Sequence, residues 1–213
     1  MITVEMMTKN PLYIMHDEAC ITQGKRARVE RKETHDEALE YYKKMFIAEH
    51  SVIEYVDFRV VDTECRGDVA SHFTRHTKGS PRPEVQSNRP DWNGGTKRKA
   101  LDKTIVMYTE KWNAWAWLHM CRLRLCTRAS KVDRDWLRNV LSIMKNSGDP
   151  YFEALAFCSV PNCIYRSGCP ELKGCGFSEK FFTNRNVILE IQDKYSEYNN
   201  FLLWENMNNI DLF

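Results

Sequence analysis

The chain has 213 residues, the length of one ordinary domain, and 43% of them are apolar against 28% charged, which excludes an intrinsically disordered protein. Its 31 Lys and Arg nearly cancel 29 Asp and Glu, and a formal charge of +2 provides no global positive field to gather nucleic acid or an anionic membrane surface. No apolar run approaches the roughly 20 residues that span a bilayer.

The richest apolar stretch, from Trp115 to Cys121, is interrupted by His119 and followed by Arg122 and Arg124. Met1 to Asn10 lacks the basic start, apolar centre and small-residue cleavage site of a signal peptide. The eight cysteines are too few for a disulfide scaffold of this length, so reduced thiols in the cytoplasm are expected. One domain over 1–213 is expected, with a Cys-containing segment over 158–213.

Ile2, Val4 and Met6 alternate with polar residues and predict a short strand. Residues 11 to 33 hold scattered charge, including Lys25, Arg26, Arg28, Arg31 and Lys32, with no sustained period, and read as a solvated face. Thr34 and Glu37 have the spacing of a capping box, and Leu39, Tyr42, Met45 and Phe46 then recur at helical intervals, predicting a helix over 35–49. Val56, Phe58 and Val60 alternate as in a second strand. From Cys65 to Thr77 the pattern turns helical, with Val69 and Phe73 on one face.

Gly79, Pro81, Pro83, Pro90, Gly94 and Gly95 make residues 79–99 a long loop, a kind of segment that often carries function. Residues 100–127 read as one long helix holding Trp112, Trp115, Trp117, Leu118, Cys121 and Leu125. Ser130 with Asp133 suggests the cap of another, whose apolar face is Trp136, Leu137, Val140, Leu141 and Met144, and a third begins near Asp149 and fades by Ser159. The order of elements predicts an α+β domain with a small sheet flanked by helices and a helix-rich C-terminal half.

His72, Arg75, His76, Lys78, Arg82, Glu84, Ser87 and Arg89 form the densest group of chemically able side chains. Arginines, a lysine and a serine hydroxyl supply the donors that a phosphate needs, and a charged solvated loop explains the group equally well. His72 and His76 have the spacing of paired zinc ligands, but Phe73 stands where a metalloprotease would have its Glu, so no metal site is expected there. Cys158, Cys163, Cys169 and Cys175 are more widely spaced than most zinc ligands and are expected to be free thiols. Core packing explains Trp112, Trp115 and Trp117 with less assumption than base stacking does. No nucleophile elbow and no Gly-rich phosphate loop is found.

The order of these motifs resembles the flavin-dependent thymidylate synthases (ThyX). Ala48-Glu49-His50-Ser51-Val52-Ile53-Glu54-Tyr55, a short strand, Arg75-His76-Thr77, and then Glu84, Ser87 and Arg89 are similar to that family's G-H-E-[ST]-x-x-E-H, strand, R-H-R and E-x-S-x-R. Asn113-Ala114 through Leu123-Arg124-Leu125 to Ala129 and Arg134 is similar to its block from N-A-R through L-R-L to A-Q-x-E-I-R. The resemblance covers roughly residues 35 to 145.

What it implies is a ThyX-like fold, a homotetramer with active sites shared between subunits, and bound FAD. The implied reaction methylates dUMP at C5 to dTMP, with methylenetetrahydrofolate as carbon donor and NADPH as reductant. By matched position, Ser51, Arg75, His76, Arg122 and Arg124 would contact FAD, and Glu84, Ser87, Arg89 and Arg134 would hold the nucleotide. His72, Arg75 and Arg134 are the implied catalytic group. The chain departs from the family at Glu49-His50, where the order is reversed, at Thr77 and Trp115, where the family has Arg, and at Ser130, where it has Gln. Alternatives in view are an enzyme of altered base or one-carbon specificity, a catalytically inactive nucleotide-binding protein of the same fold, and a small metal-binding adaptor built on the C-terminal cysteines.

Overall fold

Strand β1 (Ile2–Met6) is followed by helices α1 (Pro11–Ile21) and α2 (His35–Ile47), a 3-10 turn over Ser51–Glu54, strand β2 (Asp57–Arg66) and helix α3 (Gly67–Phe73). Strands β3 (Arg82–Val85) and β4 (Ile105–Asn113) come next, and then helices α4 (Ala114–Arg124), α5 (Lys131–Lys145), α6 (Pro150–Cys158), α7 (Asn162–Tyr165) and α8 (Phe177–Thr183). The computed structural model describes residues 1–26, 33–76, 78, 82–86, 104–183 and 193–200, the last of these helical. No helix among them is long and apolar enough to cross a membrane.

The four strands make one antiparallel sheet in the order β1-β2-β4-β3. Side chains alternate across a strand, and here one set is buried while the other is left open. Phe58, Val60 and Asp62 of β2 and Val106, Tyr108, Glu110 and Trp112 of β4 point inward, under helices α3 and α5. An irregularity between Asp62 and Cys65 keeps both of them inward, which a regular strand would not do. Arg59, Ile105 and Met107 stand on the open face.

The core is aromatic. Phe58 meets Trp117 at 5.6 Å and Phe152 at 5.7 Å, and Trp112 meets Trp117 at 5.6 Å, all edge to face. Tyr42 and Phe46 of α2 set their rings against Tyr151 of α6 at 5.1 and 5.2 Å. Such contacts add about 0.5–1.5 kcal/mol each beyond the area they bury. Trp112 and Trp117 are therefore core residues, as expected. Trp115 is half-buried and stacks on His119 at 5.5 Å.

Several expectations need correction. Residues 105–113 are strand, not the first half of a long helix, which begins only at Ala114, where the Asn113 side chain accepts from the Ala116 N–H at 2.9 Å. The strand is disguised because its inward set includes Glu110 and its open set includes Ile105 and Met107, so apolar and polar residues do not alternate cleanly. The charged segment after residue 10 begins with a helix that Pro11 starts, since proline fits the first helical turn. Cys65 and Arg66 end β2 rather than starting a helix, and β3 lies within the expected loop; the rest of that loop, residues 79–81 and 87–99, lies outside the described residues.

The capping box on α2 is present. Thr34 Oγ1 accepts from the Glu37 N–H at 3.3 Å while Glu37 Oε2 accepts from the Thr34 N–H at 2.8 Å. Thr34→Ala is expected to cost about 0.5–2 kcal/mol, read as a lowered urea midpoint with unchanged slope.

Glu110 is the least expected core residue. It is 0% exposed, its Oε2 accepts from the Tyr108 hydroxyl, and its Oε1 has no hydrogen-bond partner among the described residues. Burial pushes its carboxyl up to about 8, against a smaller downward pull from the Tyr108 hydrogen bond.

Candidate functional site

Helix α3 exposes its C-terminal turn beside the end of α4 and the start of α5, and four polar side chains meet there. His72 Nδ1 lies 3.0 Å from both carboxylate oxygens of Asp133, which is 1% exposed. Arg124 donates from Nε to His76 Nε2 at 2.8 Å, from Nη2 to the His72 carbonyl at 3.2 Å, and sets Nη1 3.5 Å from Asp133 Oδ2. Asp133 is thus a buried carboxylate shared by an imidazole and a guanidinium, as buried charges require.

The hydrogen bonds assign the protons. A carboxylate facing His72 Nδ1 calls for a proton on that nitrogen and leaves Nε2 as an acceptor on a partly open side chain. His76 Nε2 accepts from Arg124, so its proton is on Nδ1. Burial, then the Arg124 charge, then His119 bring His76 down to about 4, and it is neutral at physiological pH. Burial and then Lys78 lower His119 as well. Burial is the larger cause for both imidazoles, and the cations Arg124 and Lys78 add to it by giving the place a positive potential. Arg75 and Lys78 are exposed beside it.

The other implied site residues are distributed differently. Arg122 and Arg124 are two residues apart, about 200° around a helix, and so serve opposite sides of α4. Arg122 pairs with Glu49 and lies 3.5 Å over the Tyr165 ring, and burial lowers its pKa. Glu49 adopts a left-handed backbone, φ 49°, at the end of α2, a place that favours glycine. Ser51 is exposed at the start of the 3-10 turn, and the His50 ring accepts from the Val52 N–H at 3.4 Å. Arg134 donates to the carbonyls of Thr127, at 2.6 Å, and Ala129, closing the turn between α4 and α5.

Glu84 is exposed on β3 opposite Thr109, and the pair shares the open face of the sheet. The structure therefore brings His72, His76 and Arg124 together, while Glu84 and Ser51 stand on other elements and Arg122 is paired with Glu49. Ser87, Arg89 and Thr77 lie outside the described residues. Sequence reasoning missed Asp133, Glu49 and Tyr165. Ser130 and Asp133 have the spacing of a cap, but Ser130 makes no side-chain capping bond and Asp133 turns inward to His72 instead.

No family model and no curated protein sequence matches the chain. Its class is defined by the fold: α+β, with a small antiparallel sheet roofed by helices and a helix-rich C-terminal half, as the motif order implied. A solved structure shares that fold, the UMP/dUMP methylase PolB from Streptomyces cacaoi bound with 5-Br dUMP. The two are 12% identical with a TM-score of 0.51, and the match covers 72% of this chain and 94% of that one.

Proposed function

We propose that the chain is a flavin-dependent methyltransferase acting at C5 of a pyrimidine nucleotide. Its default reaction is dUMP to dTMP, with methylenetetrahydrofolate as carbon donor, NADPH as reductant and FAD as cofactor. The observation that carries this reading is the cluster at the end of α3, where Arg124 donates to His76 and to the His72 carbonyl and Arg75 and Lys78 stand exposed beside it. Anionic FAD and nucleotide phosphates fit such a donor set, because among the described residues Asp133 is the buried carboxylate that balances the fixed cations there.

Bound FAD would supply the hydride that reduces the transferred one-carbon unit to a methyl group. Arg75, His76 and Arg124 would hold its anionic parts, with Ser51 and Arg122 as further contacts, and Arg124 keeps two N–H groups beyond those it spends inside the protein. Glu84, Ser87, Arg89 and Arg134 hold the nucleotide. The incoming carbon replaces the C5 proton, and His72 Nε2, oriented through Nδ1 by Asp133, receives it. Because Glu84 faces the open side of the sheet and His72 the helical side, a second copy of the chain completes the pocket, in a homotetramer.

A second reading of the substrate rests on the shared fold with a methylase of both UMP and dUMP. Thr77 and Ser130 replace an Arg and a Gln of the resembled family, which removes one charge and one amide that would read the base. The test is release of tritium to water from C5-labelled dUMP, UMP and dCMP, with FAD, NADPH and methylenetetrahydrofolate present. Release from dUMP, or from UMP in preference, is expected. No release from any of the three, with nucleotide still bound, would replace the enzyme by a binding protein of the same fold.

A further inference from the structure

The sheet ends in two edge strands, β1 and β3, and β1 is the longer. Its backbone groups sort by parity. The Thr63 N–H donates to the Met1 carbonyl at 3.1 Å and the Met7 N–H to the Asp57 carbonyl at 3.0 Å, so in this antiparallel ladder the odd-numbered residues bond to β2. Ile2, Val4 and Met6 therefore turn their N–H and C=O groups away from the sheet. Among the described residues, no hydrogen bond reaches them on that side. Natural edges are commonly guarded by proline or lysine, and the sequence of β1, Ile-Thr-Val-Glu-Met, has neither.

The strand also complements its own two-fold copy. Laid antiparallel about Val4, it sets Val4 against Val4, Ile2 against Met6 and Thr3 against Glu5. Every residue with outward backbone then meets another such residue, and both hydrogen bonds of each pair form. One step further along, Met1, 75% exposed, comes opposite Met7, 51% exposed, so two open apolar side chains cover each other. No like charges meet. Glu5 faces Thr3 and keeps Arg59 as its counter-charge, with Nη2 2.6 Å from Oε2. Sliding the copies by two residues sets Glu5 against Glu5 in one direction and leaves Met6 beyond the partner strand in the other, so the pattern specifies one register.

We propose that β1 is the edge through which two copies of the chain join, antiparallel about Val4, doubling the four-stranded sheet. Ile2 lines a groove of about 470 Å³ together with Val132, Trp136 and Ile143 of α5. Met6 of the partner subunit, opposite Ile2, brings a flexible apolar side chain to its mouth. The pairing stands without the flavin reading, and it supplies the second copy that reading calls for.

The test uses the full chain, with mass measured by sedimentation equilibrium and amide exchange followed by NMR. Val4→Pro removes the N–H at the two-fold centre without touching a bond to β2, and proline is tolerated where an edge N–H faces outward. Thr3→Glu leaves the backbone alone and opposes two carboxylates across the join. Each variant is expected at half the mass of the wild type, with an unchanged circular dichroism spectrum. In the wild type the amides of Ile2, Val4 and Met6 should be protected from exchange, and dilution should remove the protection. Should Val4→Pro fail to fold, Thr3→Glu and the wild-type exchange decide. A wild-type monomer overturns the proposal, as do unchanged masses in both variants or an oligomer whose Ile2, Val4 and Met6 amides exchange freely. Protection that persists at every dilution also overturns it, since the edge is then covered from within the same chain. Tritium release from the nucleotide is scored separately, so each reading can fail alone.

Discussion

Glu110→Gln is expected to stabilise the protein by about 2–3 kcal/mol near pH 8 and to remove a pH dependence that the wild type shows. The carboxyl titrates at about 8 in the folded chain against an ordinary value of 4.5. Below 4.5 it is protonated in both states and contributes nothing. Between 4.5 and 8 the unfolded chain releases the proton and the folded chain keeps it, so stability falls as pH rises. Above 8 both states are ionised and the penalty is constant, at most about 5 kcal/mol for a shift of this size. Glutamine keeps an acceptor for the Tyr108 hydroxyl, which burial holds protonated throughout. Its amide N–H₂ then lacks a partner, which is why the expected gain is smaller than the full penalty. Urea melts of both proteins at intervals from pH 4.5 to 9 decide the matter. Parallel curves would mean that Glu110 ionises normally.

Arg124→Ala is expected to cost about 2–4 kcal/mol, because it strips a guanidinium from a carboxylate that is 1% exposed, with His72 left to hold the remainder. Flavin affinity should fall about 100-fold if the site is as proposed. The variant also changes the acid limb of stability. His76 is depressed to about 4 from 6.5, so wild-type stability is complete above 6.5 and declines as pH drops from there to 4, while the unfolded imidazole takes up a proton that the folded one refuses. Removing Arg124 lifts the second of its causes and leaves burial, so the His76 resonance should titrate at higher pH in NMR spectra and the acid decline should shrink. Unchanged flavin affinity with an unchanged His76 titration would remove Arg124 from the site.

The parts of the fold that could be read from sequence are those whose side chains obey one rule at a time. Helix α5 presents Trp136, Leu137, Val140 and Met144 on one stripe, and the expected start at Ser130 agrees with the observed Lys131–Lys145. Helix α2 announces itself by a cap that the structure contains. Strand β4 obeys two rules at once: Glu110 is buried for reasons of packing around Tyr108, and Met107 is exposed on an open sheet face, so its period is hidden. At the site, Arg75-His76 and Leu123-Arg124-Leu125 are legible as strings. The meeting of His72 with Asp133 is a tertiary event across 61 positions and leaves no local trace. The same holds for Cys126, which lines one cavity with Cys163, Cys169 and Cys175 from a distant part of the chain.

Pro83 bears on how copies of the chain can join. The Gln86 N–H donates to the Met107 carbonyl at 2.8 Å, and in an antiparallel ladder the residues that bond inward alternate with those whose N–H and C=O point away. Glu84 and Arg82 therefore bond to β4, while Val85 and Pro83 turn their backbone outward along the rim. At that rim a proline offers no N–H, and a strand from another molecule laid alongside β3 would find a missing donor in the middle of a four-residue edge. Sheets of neighbouring chains are thus hindered from running on into one continuous ribbon through β3, and that edge is the less open to fibrous growth.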